Sequence, residues 1–144
     1  MTEKTQRVGT ADEGFTLLEL LVVLAILGLL AAIVAPRVIS YLGSSRTKTA
    51  SIQVKNIAAS LELYRLDAGR YPNDQEGLAV LVKAPAGNPA WNGPYLADKG
   101  ALNDPWGKPY HYAAPGKHGE FDVFSYGADD KEGGSGEDKD VSNW

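Results

Sequence analysis

The chain of 144 residues contains no cysteine. This absence excludes a disulfide staple, a thiolate zinc site and a cysteine nucleophile. Histidine is scarce as well, and the two present, His111 and His118, lack the local spacing of a metal-ligand pair. The formal net charge is −4 and no basic patch stands out, which argues against nucleic-acid binding. No catalytic arrangement remains, so we expect a protein that is not an enzyme.

One long apolar run is present, over residues 15–35, with Glu19 as its only charged side chain. About 20 apolar residues span a bilayer as a helix. A charge at mid-bilayer costs about 2.5–3.5 kcal/mol, whereas each Leu, Ile, Val or Phe contributes about 0.3–0.6 kcal/mol toward insertion. Insertion is favoured because Glu19 lies near the end of the run. We therefore predict a transmembrane or filament-core helix over residues 15–36 and a specific role for Glu19.

A polar leader, residues 1–14, precedes this run. An ordinary secretory signal has a shorter apolar core that is followed by a small-residue cleavage site, whereas Gly14 comes before the run. A plain signal anchor is one interpretation. The other is cleavage after Gly14, which leaves Phe15 as a new amino terminus. Its amine is mostly cationic at neutral pH, and we expect it to pair with Glu19 of another copy.

The sequence at this point, Gly-Phe-Thr-Leu-Leu-Glu, resembles the processing motif of the type IV pilin and pseudopilin family. The resemblance implies that Gly14 precedes the prepilin peptidase cut and that Phe15 becomes N-methylated. It also implies that Glu19 is the acidic residue used in assembly. Asp12 and Glu13 depart from the basic residues usual beside this glycine and weaken the positive-inside signal.

Beyond the apolar run, the pattern indicates an amphipathic helix. Apolar residues recur at spacings of three and four, which places them on one helical face: Ala50, Val54, Ile57, Leu61, Tyr64 and Ala68. Pro36 removes a backbone donor and predicts a kink or a local loosening of the helix. Gly69 is a natural helix terminator. We expect the stripe to form part of the core of the following domain.

The second half of the chain reads as short elements joined by turns. Residues 110–114 and 120–126 predict the two strands of a hairpin, and Asp-Pro-Trp-Gly at 104–107 has strong turn chemistry. The expected fold class is α+β and pilin-like, with a long N-terminal helix packed against a small antiparallel sheet. The expected domain covers residues 37–144.

Residues 127–141 form a glycine-rich acidic loop with six carboxylates and two lysines. Composition by itself favours a frayed acidic tail. Oxygen ligands of this kind also suit calcium, although the spacing excludes an EF-hand. Val141 and Trp144 favour an ordered, metal-clamped loop, because a disordered tail has little need of large apolar residues.

Several segments together resemble the major pseudopilins of the type II secretion system: residues 64–72, 75–78, 93–95, 104–107, 118–122 and 125–129, and the ending Asp-Val-Ser-Asn-Trp. In that family the acidic loop binds calcium. The resemblance therefore implies a calcium site with Asp129, Asp138 and Asp140 as ligands and the backbone of Tyr126 as a further ligand.

The expected function is a structural subunit that polymerises into a periplasmic pseudopilus for the export of folded proteins. The resemblance implies a single-pass protein of the bacterial inner membrane with its C-terminal domain in the periplasm. Its implied partners are copies of itself in a helical homopolymer, minor pseudopilins, the inner-membrane assembly platform and prepilin peptidase. One alternative is a type IV or competence pilus subunit, against which the missing disulfide argues. Another is a monomeric, membrane-anchored, calcium-dependent binding domain.

Overall fold

The computed structural model describes residues 14–144. They divide into two units, one that ends at Val38 and one that comprises Ile39–Trp144. Helix α1 covers Leu17–Ala68, and the strands are β1, His111–Ala113, β2, Asp122–Ser125, and β3, Val141–Ser142. Three short 3₁₀ helices cover Gly77–Leu81, Lys99–Leu102 and Gly136–Asp138.

The two ends of α1 are defined by local chemistry. The Thr16 hydroxyl accepts a hydrogen bond of 3.1 Å from the amide of Glu19, which satisfies one of the free donors at the start of the helix. At the other end, Gly69 has a φ of 75° and its amide donates to the carbonyl of Arg65. That left-handed glycine is a common way to close a helix. The helix assignment is continuous through Pro36.

The first unit contains the apolar half of α1. All large apolar side chains from Phe15 to Val38 are exposed, and even the least exposed, Val23, has 46% of its surface free. By length and composition, α1 is suited to cross a membrane. An apolar surface of this extent on one helix requires lipid or protein to cover it.

The core of the second unit forms on the predicted helical stripe. Ala50, Val54, Ile57, Leu61 and Tyr64 are at most 1% exposed, and Ala68 packs at the edge. Burying a large apolar side chain contributes about 1.5–3 kcal/mol, so this face is enough to hold the helix onto the domain. The other buried members of the core are Leu78, Val80, Leu81, Tyr110, Phe121, Val123 and Val141.

The sheet is antiparallel with strand order β1-β2-β3. His111 pairs with Phe124 between β1 and β2, and Ser125 pairs with Val141 between β2 and β3. The predicted hairpin and the α+β fold class are therefore confirmed. The third strand was not predicted, because it has two residues and follows a polar, glycine-rich segment that carries no strand pattern.

Candidate functional site

The predicted processing and assembly residues lie at the start of α1. Gly14 and Phe15 precede the helix, both are exposed, and Glu19 lies in its first turn, also exposed. Within residues 14–144, no basic side chain forms an ion pair with Glu19. The rest of the predicted leader, residues 1–13, lies outside the described residues. Cleavage, methylation and pairing between copies remain predictions.

The capping role of Thr16 was not part of the sequence analysis. Thr-Leu-Leu-Glu is a capping-box sequence, in which a threonine caps a helix and a glutamate follows three residues later. The observed hydrogen bond from the Glu19 amide to Thr16 agrees with that pattern. A carboxylate in the first turn of a helix is also favoured by the helix dipole. Glu19 is thus compatible with the helix start as well as with a role between copies.

The acidic loop, residues 127–141, is fixed at its start by a buried polar network. The Ser125 hydroxyl donates to Asp104 at 2.6 Å and accepts from the amide of Gly127 at 3.1 Å. The other oxygen of Asp104 accepts from the amides of Trp106 and Lys108. The predicted turn at 104–107 therefore does more than reverse the chain, because its aspartate also holds the end of β2.

Two further contacts hold the loop closed. The ammonium group of Lys108 donates to the carbonyl of Ala128 at 2.9 Å, and the amide of Ala128 donates to the carbonyl of Glu137 at 2.9 Å. The two arms of the loop approach closely at its glycines. A Cβ on Gly134 would lie 2.5 Å from the carbonyl oxygen of Asp138, and the φ of Gly134 is 84°. Only glycine satisfies both requirements.

The three predicted ligands differ in their surroundings. Asp129 is exposed and its Oδ1 accepts from the amide of Lys131 at 3.2 Å. Asp138 is half-buried in the short helix of the loop. Asp140 is half-buried, its Oδ2 accepts from the amide of Gly133 at 2.8 Å, and its Oδ1 is buried without a hydrogen-bond partner. Such an oxygen is energetically unfavourable unless a donor or cation reaches it.

The loop has the oxygen chemistry that calcium requires, but not a ready-made cage of side chains. In the part of the chain from Gly14 onward, no three His, Cys, Asp or Glu side chains are grouped closely enough to hold a metal ion. Calcium accepts backbone carbonyls as ligands, and the unpartnered oxygen of Asp140 has the right chemistry. Asp140 shares a cleft of about 430 Å³ with Tyr126, Glu132 and Trp144.

Aromatic rings cover the outer face of the sheet. Trp144 stacks on His118 with ring centroids 3.9 Å apart, and Phe124 contacts the rings of His111, Tyr126 and Trp144. Val141 is buried, but Trp144 is 53% exposed. Of the two residues taken as signs of an ordered loop, Val141 enters the core, whereas Trp144 packs on a surface ring.

His118 also stabilises a buried carboxylate. Its Nδ1 lies 3.0 Å from Oδ2 of Asp122, a side chain that is 5% exposed. Burial acts to raise the pKa of Asp122, but the hydrogen bonds from the imidazole and from the amides of Lys117 and His118 lower it further than burial raises it. This arrangement orders the hairpin turn, and the exposed imidazole of His118 stacks on Trp144.

Comparison with known proteins identifies the class. A family model described as "Type II secretion system (T2SS), protein G" matches residues 37–144, and one described as "Prokaryotic N-terminal methylation motif" matches residues 10–35. The crystal structure of the major pseudopilin from the type 2 secretion system of enterohaemorrhagic Escherichia coli is similar. Its TM-score is 0.56 at 30% identity, with 69% of this chain and 87% of that chain covered. The fold is therefore that of a pseudopilin.

Curated relatives narrow this class to a family. The type II secretion system core protein G of Pseudomonas aeruginosa is 50% identical over 136 residues, which cover 92% of this chain and 95% of the relative. That of Vibrio cholerae is 40% identical over 134 residues, covering 91% and 90%. The chain belongs to the type II secretion system protein G family. It is a structural subunit rather than an enzyme, and the resemblance inferred from its motifs is confirmed.

Proposed function

We propose that this subunit polymerises through its apolar helix into the periplasmic pseudopilus of a type II secretion system and thereby drives the export of folded proteins. The observation that carries the proposal is the uncovered apolar half of α1, on which every large apolar side chain from Leu17 to Val38 is exposed. In the membrane, lipid covers this surface. In a filament, the same surface packs against other copies, since close packing of apolar helices replaces lipid contacts.

Processing prepares the chain for assembly in this proposal. Prepilin peptidase cleaves after Gly14, and Phe15 becomes the methylated amino terminus; the match of residues 10–35 to the N-terminal methylation motif supports this step. Before assembly the protein is a single-pass protein of the inner membrane with its C-terminal domain in the periplasm. Its partners are copies of itself, the minor pseudopilins and the inner-membrane assembly platform.

Glu19 provides the specific contact between copies. In the described chain it has no ion-pair partner, and it interrupts a segment that otherwise suits lipid. A carboxylate moved out of water requires a cation, and the amine of Phe15 in a neighbouring copy supplies one. Apolar packing between helices is not directional. The ion pair between Glu19 and Phe15 therefore sets the relative position of neighbouring copies.

The test is replacement of Glu19 by leucine, with Glu19→Asp as the matched control that keeps the charge. We expect Glu19→Leu to insert into the membrane and fold normally, because it removes a charge from an apolar segment, but to lose most filament formation. The measurement is filament yield by electron microscopy and by sedimentation of sheared filaments. Wild-type yield from Glu19→Leu would rule out the pairing.

The acidic loop is the proposed calcium site. Asp129, Asp138 and Asp140, with the backbone of Tyr126, supply the ligands. The unpartnered Oδ1 of Asp140 supports an ion at this loop. Backbone carbonyls complete the ligand set, because calcium takes six to eight oxygens and accepts carbonyls among them. The ion compensates the mutual repulsion of the carboxylates.

A further inference from the structure

The acidic loop also contacts α1, at Gly43 and Thr47. None of the proposed calcium ligands takes part in this contact. Gly43 is buried, although the other residues of α1 from 39 to 49 are exposed or half-buried. A Cβ built on Gly43 would lie 2.6 Å from Oε1 and 2.7 Å from Cδ of Glu137. The side chain of Glu137 therefore occupies the space that any larger residue at position 43 would need. The absence of a side chain at this helical position makes room for the loop.

Polar contacts fix the loop to the next turn of the helix. The hydroxyl of Thr47 donates to the carbonyl of Gly136 at 3.1 Å, with the carbonyl of Gly43 as a second acceptor at 3.2 Å. Nη1 of Arg46 lies 3.9 Å from Oε1 of Glu137. This exposed ion pair contributes little by itself, but it brings opposite charges together where the loop crosses the helix.

We propose that Gly43, Arg46 and Thr47 form a receptor for Gly136 and Glu137, and that this contact, the helix latch, couples the order of the acidic loop to the order of α1 over residues 39–50. The latch goes beyond the proposed calcium site, because its residues are not the proposed ligands and its contacts require no ion. Its control by calcium rests on the proposed function, since an ion that orders the loop tightens the latch.

The latch matters because this stretch of helix has few other tertiary contacts. Gly43 and Ala50 are the buried residues of α1 between positions 39 and 50. Segments with few buried contacts open locally at a small free-energy cost. The helix latch joins α1 to a segment about ninety residues away in sequence. It therefore controls how often the helix opens just beyond the apolar run.

The test is amide hydrogen exchange on the full chain in detergent micelles, once with chelator and once with millimolar calcium chloride. The main variant is Thr47→Val. Its matched control is Thr49→Val, because the Thr49 hydroxyl donates to the carbonyl of Ser45 in the same helix and, among the described residues, forms no hydrogen bond with the loop. We expect Thr47→Val to speed exchange about three- to tenfold in residues 39–50 and 133–138, and Thr49→Val to leave the loop unchanged.

A second variant separates the latch from helix propensity. Alanine is the better helix former, so Gly43→Ala strengthens the helix intrinsically while it displaces Glu137. We expect faster exchange in residues 133–138 despite the better helix. Gly28→Ala is the control, because no atom lies within 4 Å of a Cβ at that helical glycine.

The latch and the calcium site fail in distinguishable ways. If Thr47→Val loosens both segments but calcium changes nothing, the latch stands and the calcium site does not. If calcium protects the loop, but Thr47→Val and Thr49→Val exchange alike in residues 39–50 and 133–138, the latch is wrong. Thermal melting of each variant confirms that a folded protein was compared.

Discussion

At the residue scale, a reciprocal pair organises the chain just after α1. The amide of Glu76 donates to the side chain of Asn73 at 2.8 Å, and the amide of Asn73 donates to Glu76 at 2.9 Å. Arg70 adds two hydrogen bonds to the same carboxylate, at 2.6 and 2.7 Å. The Arg70 hydrogen bond is the main cause that lowers the pKa of Glu76 to about 2, and the Asn73 amide is the next.

This shift makes a prediction about acid stability. The folded pKa of Glu76 lies below its ordinary value of 4.5, so its contribution is complete above that value and is lost as the pH falls toward about 2. We expect Glu76→Gln to destabilise the protein by about 1–2 kcal/mol at pH 7, since Arg70 is half exposed and solvent screens the pair. The difference from wild type should shrink between pH 5 and about pH 3.

Urea unfolding across this pH range, followed by circular dichroism, measures the effect. Asp98→Asn is the control, because Asp98 is exposed and forms no ion pair within residues 14–144. A constant difference between Glu76→Gln and wild type from pH 7 to pH 3 would show that the pair does not titrate as described.

At the scale of elements, the acidic loop and β3 form one unit with the end of β2. The loop begins at the network of Asp104 and Ser125 and ends in β3, where Val141 pairs with Ser125 and enters the core. We therefore expect a loss of order in the loop to loosen β3. This connection gives the calcium proposal a consequence for the stability of the whole domain.

We predict that calcium raises the melting temperature of the protein. An ion bound to the folded state only adds about 1.4 kcal/mol when its concentration is ten times the dissociation constant. The measurement is thermal melting of the full chain in detergent with calcium or chelator. Asp129→Ala and Asp140→Asn should abolish the calcium effect, since each removes a proposed ligand.

Asp130→Asn is the matched control for these variants. Asp130 belongs to the same loop but is not a proposed ligand, and its φ of 59° is one that asparagine tolerates. It should therefore keep the calcium effect. If millimolar calcium does not change the melting temperature of the wild type, the calcium site is wrong and the carboxylates are only solvated.

At the scale of the whole molecule, the two units differ in the burial of their apolar side chains. The first unit exposes its large apolar side chains, whereas the second buries the helical stripe from Ala50 to Tyr64 in its core. The second unit therefore has its own hydrophobic core, whereas the apolar surface of the first unit has to be covered by lipid or by another protein. Membrane insertion followed by polymerisation covers the exposed half in the proposed life cycle.

Processing is the step of this cycle that a single measurement checks. We predict that the membrane-extracted protein lacks residues 1–14 and begins at a methylated Phe15. Intact-mass spectrometry of the protein made with prepilin peptidase should show this mass. The Gly14→Val variant should retain the leader, because a branched side chain replaces the small residue before the cut. A wild-type chain that still begins at Met1 would contradict the prediction.

Much of the fold was predictable because it depends on local periodicity. The stripe from Ala50 to Tyr64, the helix end at Gly69 and the hairpin all follow from spacing and turn chemistry that neighbouring residues carry. The kink expected at Pro36 does not interrupt the helix assignment. A proline removes one donor, and the remaining hydrogen bonds of a long helix are enough to continue it.

The candidate site was predictable in its residue types but not in its geometry. Clustered carboxylates and glycines marked residues 127–141 as a loop with the chemistry for a cation. No sequence pattern indicates that Lys108 donates to the carbonyl of Ala128 or that Asp140 has an unpartnered oxygen. Such contacts depend on the direction of individual backbone groups, and no periodic pattern records them.

The sequence by itself determined the apolar run with its lone carboxylate, the amphipathic stripe and the family. Each of these depends on residue types at short spacings along the chain. Only the tertiary structure decided that β3 joins the sheet and that Trp144 stacks on His118. It also decided that Gly43 receives Glu137. These contacts join residues that are far apart in sequence, and their partners are selected by packing and by the closure of the acidic loop.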